Sequence, residues 1–305
     1  MINVNWKGIY PAVTTKFTDD DKLDLVAFGQ NIEAQIEAGV SGIILGGTLG
    51  EASSLTKDEK QQILKFTLEL SDGRVPVILN IAEQTTKNAI AFVSNAQENG
   101  ANGLMLLPPM RYHSDVRETL AYFTAVAAST ELPIMIYNNP VDYKVNVDIE
   151  MFKVLSDIPN ITAIKESSRD ITYLTRLKIA FGDRFRILSG VDNLALESLL
   201  LGADGWVAGL VCAFPKETVA IYQLAIAGRI QEAIAIYRWF IPLLELDIRS
   251  TLVQNIKLAE TATGLGTENV RPPRLPLVGE EREKVLEIIN SSLKSRPELP
   301  DYKNL

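Results

Sequence analysis

The chain has 305 residues, 47% of them hydrophobic, and a formal net charge of −8. This length suits either two small domains or one large α/β barrel. The lysines and arginines are scattered rather than clustered, which argues against nucleic acid or a membrane as a partner and favours a small molecule. One histidine, His113, and one cysteine, Cys212, argue against a His-based metal site, a Ser-His-Asp triad and an internal disulfide. We therefore expect neither a metal nor a cofactor.

The chain begins without the basic and apolar regions of a signal peptide, and no segment is long and apolar enough to span a bilayer, so we expect a cytoplasmic location. Short apolar runs then alternate with helix-patterned segments. The runs lack polar alternation, which is typical of strands buried on both faces in a parallel sheet. The eight predicted strands are residues 9–15, 42–47, 75–81, 103–107, 133–138, 161–165, 185–189 and 206–210.

The segments between these runs carry helix signals, such as a capping box from Thr56 to Glu59 and a stop at Gly39. The predicted helices are residues 25–38, 88–100, 114–128, 171–181, 193–201 and 216–227, with one more after Thr56. Eight strand-helix units predict a (β/α)8 TIM barrel. A doubly wound open sheet is the competing fold, but no G-x-G-x-x-G motif follows the first strand.

Beyond the barrel, three further helices are predicted at residues 230–240, 252–263 and 280–293, the first of them interrupted by Pro242. The predicted organisation is a barrel over residues 1–225 and a C-terminal helical extension over residues 226–305 that packs on it.

Lys165 ends the apolar run of predicted strand six. An ammonium at the tip of a buried strand is costly unless it loses its proton or finds a partner. Ala163 lies on the same face of the strand as Lys165. Because alanine is small and lies beneath the lysine, there is room for a bound molecule above the lysine. Burial would lower the pKa of Lys165, so that its free amine could attack a carbonyl. The alternative is a lysine that closes the strand and reaches water.

Ligands of such barrels bind at the carboxyl ends of the strands. Strand two ends in the glycine-rich turn 46–51, whose backbone N–H groups could bind a carboxylate. Strand five ends in Tyr137, and strands five and six should be neighbours, so its phenol could share a cavity with Lys165 and shuttle protons. A carboxylate cradle, a phenol and a desolvated lysine favour Schiff-base chemistry on a 2-oxo acid.

The motifs Gly47-Thr-Leu-Gly-Glu51, Tyr137-Asn-Asn-Pro140, Ile164-Lys-Glu166 and Leu188-Ser-Gly190, in this order, resemble those of the dihydrodipicolinate synthase and N-acetylneuraminate lyase superfamily of class I aldolases. The resemblance implies a (β/α)8 barrel, commonly assembled as a homotetramer from two tight dimers. It implies that Lys165 forms the Schiff base and Tyr137 is the catalytic phenol. Substrate-binding positions by the same resemblance are Gly47, Thr48, Leu49, Gly190 and Val207.

At three positions the chain differs from the dihydrodipicolinate synthases, and these differences restrict the activities that the resemblance implies. Leu49 stands where those enzymes have a second threonine hydroxyl in a proton relay. Met110 lies at or near the place of a tyrosine that the neighbouring subunit contributes, and Tyr112 or His113 would have to replace it. Asp142 stands where an arginine binds the carboxylate of the second substrate, which an acid would repel. Condensation with a second, anionic substrate is therefore disfavoured.

We interpret the chain as a metal-independent lyase or hydrolase that dehydrates, deaminates or cleaves a small 2-oxo acid or its cyclic imine. The specific prediction is an activity like that of Δ1-pyrroline-4-hydroxy-2-carboxylate deaminase in hydroxyproline catabolism. A 2-oxo acid aldolase or hydratase-aldolase, a 4-hydroxy-tetrahydrodipicolinate synthase and a non-catalytic 2-oxo acid sensor remain alternatives. Asn80 is a further candidate for substrate contact, whereas Glu51 and Glu166 are interpreted as structural.

Overall fold

The computed structural model describes residues 2–109 and 112–305. These residues contain eight strands, one within each predicted run or overlapping it. The predicted runs at 9–15, 42–47, 103–107 and 206–210 extend past the carboxyl ends of the observed strands. The strands are β1 (Gly8–Pro11), β2 (Ile43–Leu45), β3 (Val77–Ile81), β4 (Gly103–Leu106), β5 (Ile134–Asn138), β6 (Ile161–Glu166), β7 (Arg186–Ser189) and β8 (Gly205–Ala208).

All eight strands are parallel, and each pairs with its neighbour in the chain from β2 to β8. β1 pairs with β8 on one side, and a bridge between Ala12 and Ile44 joins its carboxyl end to β2 on the other. The sheet therefore curves into a barrel. With helices between the strands, this confirms the predicted (β/α)8 TIM barrel and excludes the open sheet.

The helices of the described residues lie between and after the strands. Three of them match the prediction to the residue, and the capping box at Thr56 is formed. They are α1 (Leu25–Ala38), α2 (Lys57–Ser71), α3 (Thr86–Glu98), α4 (Val116–Ala127), α5 (Pro140–Tyr143), α6 (Ile149–Leu155), α7 (Ile171–Phe181), α8 (Ala195–Leu200), α9 (Pro215–Ile226), α10 (Ile230–Leu244), α11 (Leu252–Thr263) and α12 (Gly279–Lys294).

The predicted interruption at Pro242 is wrong, because α10 continues through it to Leu244. Proline removes one backbone donor, but Pro242 lies in the last turn on the exposed side of the helix. Phe240, Leu243 and Leu244 are fully buried on the other side, and their packing holds the last turn in place.

Two helices between β5 and β6 had not been predicted. Asn139 caps the four-residue helix α5 by accepting a hydrogen bond from the Asp142 N–H, and Pro140 occupies its first turn. This short helix matters for the site, because it carries Asp142 and Tyr143 over the mouth of the barrel.

The interior of the barrel is a small apolar cluster that is distinct from the larger core between the sheet and the helices. Alternate residues of each strand point inward, as the period of two requires. The inward-facing residues include Tyr10, Ile44, Ile78, Met105, Met135, Tyr137, Ala163, Leu188 and Val207. At the carboxyl ends of the strands the interior opens into a cavity.

Helix α11 is bound to the barrel by two fully buried ion pairs, Lys257 with Glu51 and Lys16 with Glu260. The C-terminal helices therefore contact the strand ends directly, whereas the division of the chain at residue 225 into two units stays a prediction. Among the described residues, no helix has the length and apolar character needed to cross a bilayer.

Candidate active site

Lys165 and Tyr137 are direct neighbours in the paired strands β6 and β5, as predicted. The amine Nζ of Lys165 lies 4.0 Å from the centre of the Tyr137 ring. Both side chains line a cavity of about 410 Å³ at the carboxyl ends of the strands. Since only 7% of Lys165 is exposed, the alternative of a lysine that reaches freely into water is wrong.

Burial lowers the pKa of the Lys165 amine, although Tyr143 and the carboxyls of Asp247, Asp192 and Asp142 act in the opposite direction. No carboxylate of the described residues forms an ion pair with this amine. Burial also raises the pKa of Tyr137 to about 12, against the hydrogen bond from Asn139. Burial therefore shifts the lysine toward its free amine and keeps the phenol neutral, which suits a nucleophile beside a proton carrier.

This environment predicts the pH dependence of Schiff-base formation. The fraction of free amine rises with pH through the pKa of Lys165, and burial moves that pKa below the ordinary 10.5. We expect the rate of borohydride-trapped adduct formation with pyruvate to reach half its maximum below pH 10.5, as measured by intact-protein mass spectrometry. A midpoint at or above that value would contradict the burial argument.

Gly190 follows β7 and lies against the aliphatic side chain of Lys165. A Cβ atom at this position would come within 2.1 Å of the Ser167 Oγ and 2.6 Å of the Lys165 Cε. A glycine is therefore required for β6 and β7 to place both side chains at the cavity. The Ser167 hydroxyl is buried, lines the cavity and has no hydrogen-bond partner among the described residues. Sequence reasoning had not assigned Ser167 a role.

The glycine-rich turn after β2 brings Gly47, Thr48 and Leu49 to the cavity. Gly46 adopts a positive φ of 64°, which favours glycine, and its carbonyl accepts a hydrogen bond of 2.9 Å from the Asn80 side chain. Asn80 therefore supports the turn and does not line the cavity. Leu49 is 4% exposed and contributes an apolar wall where a second hydroxyl would make the cavity polar. Val207 on β8 also lines the cavity.

Tyr143 is a second phenol in the cavity, which the sequence had not indicated. Its hydroxyl lies 2.5 Å from the Thr48 Oγ1, and its ring packs edge-on against Tyr137 with centroids 5.4 Å apart. Burial raises the pKa of Tyr143, so its hydroxyl keeps its proton near neutral pH. Helix α5 thus places a neutral phenol beside both Thr48 and Tyr137.

The mouth of the cavity carries charges of both signs. Asp142 and Asp247 supply carboxyls, whereas Arg169 and Arg249 supply guanidinium groups. The Asp142 carboxylate accepts a hydrogen bond of 2.7 Å from Asn139, whose amide also donates to the Tyr137 hydroxyl at 3.2 Å. The predicted acid at this position is therefore part of the wall of the cavity.

Other residues considered from the sequence lie elsewhere. Tyr112 and His113 are exposed and do not line the cavity, and Met110 falls outside the described residues. Glu166 accepts hydrogen bonds from Asn138 and the Ser168 N–H on the far side of β6, which agrees with its structural interpretation. In residues 2–109 and 112–305, no cluster of three metal-ligating side chains is found.

The family model described as the dihydrodipicolinate synthetase family matches residues 5–292. The chain belongs to the dihydrodipicolinate synthetase family. A 4-hydroxy-tetrahydrodipicolinate synthase from Exiguobacterium sibiricum is 34% identical over 273 residues, which cover 90% of this chain and 92% of that protein. Membership in this family makes the chain a lyase, as the sequence predicted at that level.

Solved structures agree with this placement in the dihydrodipicolinate synthetase family. A chloride-inhibited dihydrodipicolinate synthase from Acinetobacter baumannii, in complex with pyruvate, is 28% identical with a TM-score of 0.89, covering 94% of this chain and 99% of that one. A monomeric dihydrodipicolinate synthase variant is 27% identical with a TM-score of 0.88, covering 94% and 96%. The family fold therefore extends over the barrel and the C-terminal helices alike.

The position of Tyr143 gives a prediction for this dihydrodipicolinate synthetase-family lyase. We expect Tyr143→Phe to lower kcat by about 10²-fold, since the neutral phenol can pass a proton through Thr48 during turnover. The substitution keeps the ring that packs on Tyr137, so adduct formation with pyruvate should change little. Steady-state kinetics and borohydride trapping on the same preparation measure the two effects. Tyr112→Phe, an exposed phenol, is the matched control, and an unchanged kcat for Tyr143→Phe would remove it from the chemistry.

Proposed function

We propose that the chain is a metal-independent Schiff-base lyase that acts on a small 2-oxo acid or its cyclic imine. The observation that carries this proposal is the buried Lys165 amine, unpaired by any described carboxylate and 4.0 Å from the Tyr137 ring centre. A desolvated amine beside a phenol, inside the cavity at the strand ends, can attack C2 of such a substrate. Thr48, the N–H of Leu49 and Gly47 would hold the substrate carboxylate, and Gly190 and Val207 would shape the cavity.

Within this class we propose the deamination of Δ1-pyrroline-4-hydroxy-2-carboxylate. Two observations favour one small substrate over two. Leu49 makes the inner wall apolar, and Asp142 places a carboxylate at the mouth, where it would repel a second anionic substrate. A five-membered ring with one carboxylate is compatible with a cavity of about 410 Å³.

The reaction can be written with the chain's own residues. The Lys165 amine attacks C2, the bond from C2 to the ring nitrogen breaks, and the nitrogen leaves as an amine attached to C5. Tyr137 would carry protons between these nitrogens. Loss of a C3 proton gives an enamine, whose electrons expel the C4 hydroxyl and restore the iminium. Tautomerisation to a C5 imine and hydrolysis of both imines then release ammonia and a 2-oxo acid with an aldehyde at C5.

A second candidate is the synthase reaction of pyruvate with aspartate semialdehyde. The relatives at 30–34% identity are named 4-hydroxy-tetrahydrodipicolinate synthases, which favours it. Arg169 and Arg249 at the mouth could bind a second carboxylate in place of the arginine that Asp142 replaces. A retro-aldolase or hydratase-aldolase would use the same lysine and phenol. The residues at the mouth of the cavity would then determine which substrate it accepts.

A substrate panel tests the proposal. Wild-type protein is incubated with pyruvate, with pyruvate plus aspartate semialdehyde, and with the hydroxylated pyrroline carboxylate, with and without borohydride. With borohydride, we expect a reduced adduct on Lys165. Without it, we expect the pyrroline carboxylate to be the one substrate of the panel that is turned over with release of ammonia. Condensation at a comparable kcat/KM would favour the synthase instead. Reversible binding without an adduct from any substrate would support the non-catalytic sensor. Assembly as a homotetramer and a cytoplasmic location stay predictions.

A further inference from the structure

Asp247 is the acidic residue of the cavity to which neither the sequence motifs nor the proposed mechanism gives a role. It lies between α10 and α11 and reaches over the end of β8 into the cavity that contains Lys165. A Cβ atom on Gly209 would stand 2.3 Å from its Oδ1. The glycine after β8 therefore makes the space in which this carboxyl sits.

Asp247 differs from the two other carboxyls near Lys165 in its hydrogen bonding. Asp192 accepts hydrogen bonds from the Trp206 indole and the backbone N–H groups of Gly209 and Leu210, which fix it as part of the wall. Asp142 accepts one from Asn139. The Asp247 side chain accepts none from residues 2–109 and 112–305, so its polar atoms remain free for a bound molecule.

The groups that face Asp247 come from several elements. Burial raises its pKa well above the ordinary value, and the neighbouring Asp192 and Asp142 act in the same direction. Lys165 and Arg169 act in the opposite direction. Two neutral phenols, Tyr137 and Tyr143, and the Arg249 guanidinium line the same cavity. A carboxyl in these surroundings is favoured to hold a proton that it can donate.

We propose that Asp247 is the general acid that protonates the oxygen leaving from C4 of the substrate. The proposal rests on the proposed elimination at Lys165 and identifies which group completes it. The C4–O bond breaks, its electron pair stays on the oxygen, and that oxygen takes the Asp247 proton and leaves as water. The C2–C3 enamine pair forms the C3–C4 double bond and restores the iminium on Lys165. Asp247 is left as a carboxylate and regains its proton from solvent.

The proposal also defines the class of substrate. Hydroxide is a poor leaving group, so an acid at C4 is needed for a hydroxyl substituent and not for one that departs as a stable anion. Lys165 and Asp247 would then act at opposite ends of a three-carbon unit. This arrangement selects 2-oxo acids, or their cyclic imines, that carry a hydroxyl at C4.

Two leaving groups compared in one variant test this role. Asp247→Asn keeps the size of the side chain and removes the acidic proton. The two substrates are 4-hydroxy-2-oxopentanoate, whose departing hydroxyl needs a proton, and 4-chloro-2-oxopentanoate, whose departing chloride does not. We expect kcat with the hydroxyl substrate to fall by about 10²-fold, and kcat with the chloride substrate to change less than about threefold. We expect the kcat of the wild type to fall at high pH with the hydroxyl substrate and not with the chloride substrate.

Asp142→Asn, at the other carboxyl of the mouth, is the matched control and should affect both substrates alike. The borohydride adduct of Asp247→Asn with pyruvate verifies that its site is folded. An equal loss with both substrates, or no loss with the hydroxyl substrate, would overturn the role of Asp247 while leaving Lys165 chemistry intact. A wild-type protein that traps pyruvate but expels neither group would overturn both this role and the proposed elimination.

Discussion

Replacing Lys165 with methionine is expected to abolish catalysis while the fold becomes more stable. We expect turnover to fall by about 10⁴-fold or more, because no other described amine lines the cavity. The borohydride adduct should disappear. Burial lowers the pKa of this lysine, which means that holding it costs free energy that an apolar side chain of similar length would not. Denaturant unfolding at pH 7 should therefore give a higher free energy of unfolding.

The matched control is Lys216→Ala, which removes an exposed lysine at the start of α9. It should change neither turnover nor the adduct, and its stability should stay within about 0.5 kcal/mol of wild type. Lys165→Met with activity near that of wild type would remove the Schiff base from the mechanism. An adduct that persists in this variant would place the reactive amine elsewhere in the chain.

The framework of the site could be predicted from the sequence because it depends on local pattern and strand order. Apolar runs without alternation predicted a parallel barrel, and sequential strands in such a barrel are neighbours. That rule alone placed Tyr137 beside Lys165, and the structure pairs these two residues in register. The glycine-rich turn after β2 was found in the same way, since it closes a strand at the end where ligands bind, whereas Gly190 was assigned by the family resemblance.

The groups at the mouth of the cavity could not be predicted, because their positions depend on contacts between distant parts of the chain. Tyr143 meets Thr48 across a separation of 95 residues, and a four-residue helix with no apolar period of its own brings it there. Asp247 reaches the cavity only because Gly209 leaves space for it. Asn139 as a cap before Pro140 is a local signal of α5, but such a signal does not indicate the direction in which the helix points.

The contacts in the cavity also change how two differences from the dihydrodipicolinate synthases are interpreted. Leu49 and Asp142 were interpreted from the sequence as losses from a relay and an anion site. In the structure Leu49 is an apolar wall, and Tyr143 from the same chain contacts Thr48. The cavity therefore contains phenols, hydroxyls and an unpartnered carboxyl around one amine. This composition suits the movement of several protons within one substrate, which an elimination requires.

Breaking the buried ion pair between Lys257 and Glu51 is expected to have the largest effect on stability. Both side chains are fully buried, and the lysine amine also donates to the Asn269 carbonyl at 2.6 Å. Lys257→Met leaves the Glu51 carboxylate buried without its main partner, so we expect the free energy of unfolding to fall by about 3–5 kcal/mol. Chemical denaturation with matched m-values measures this loss, which is a large part of the stability of an ordinary domain.

The double variant Glu51→Leu with Lys257→Met separates two explanations of that loss. If the cost comes from an uncompensated buried charge, removing both charges should restore most of the stability, because apolar replacements of a buried pair are often neutral. If the double variant is as unstable as the single one, the pair contributes packing that leucine and methionine do not reproduce. Glu51 has a left-handed φ of 54° and ends the turn that begins at Gly46, so it fixes the turn carrying Thr48 and Leu49. The restored double variant should therefore still form the Lys165 adduct more slowly than wild type, because helix α11 would no longer hold that turn through an ion pair.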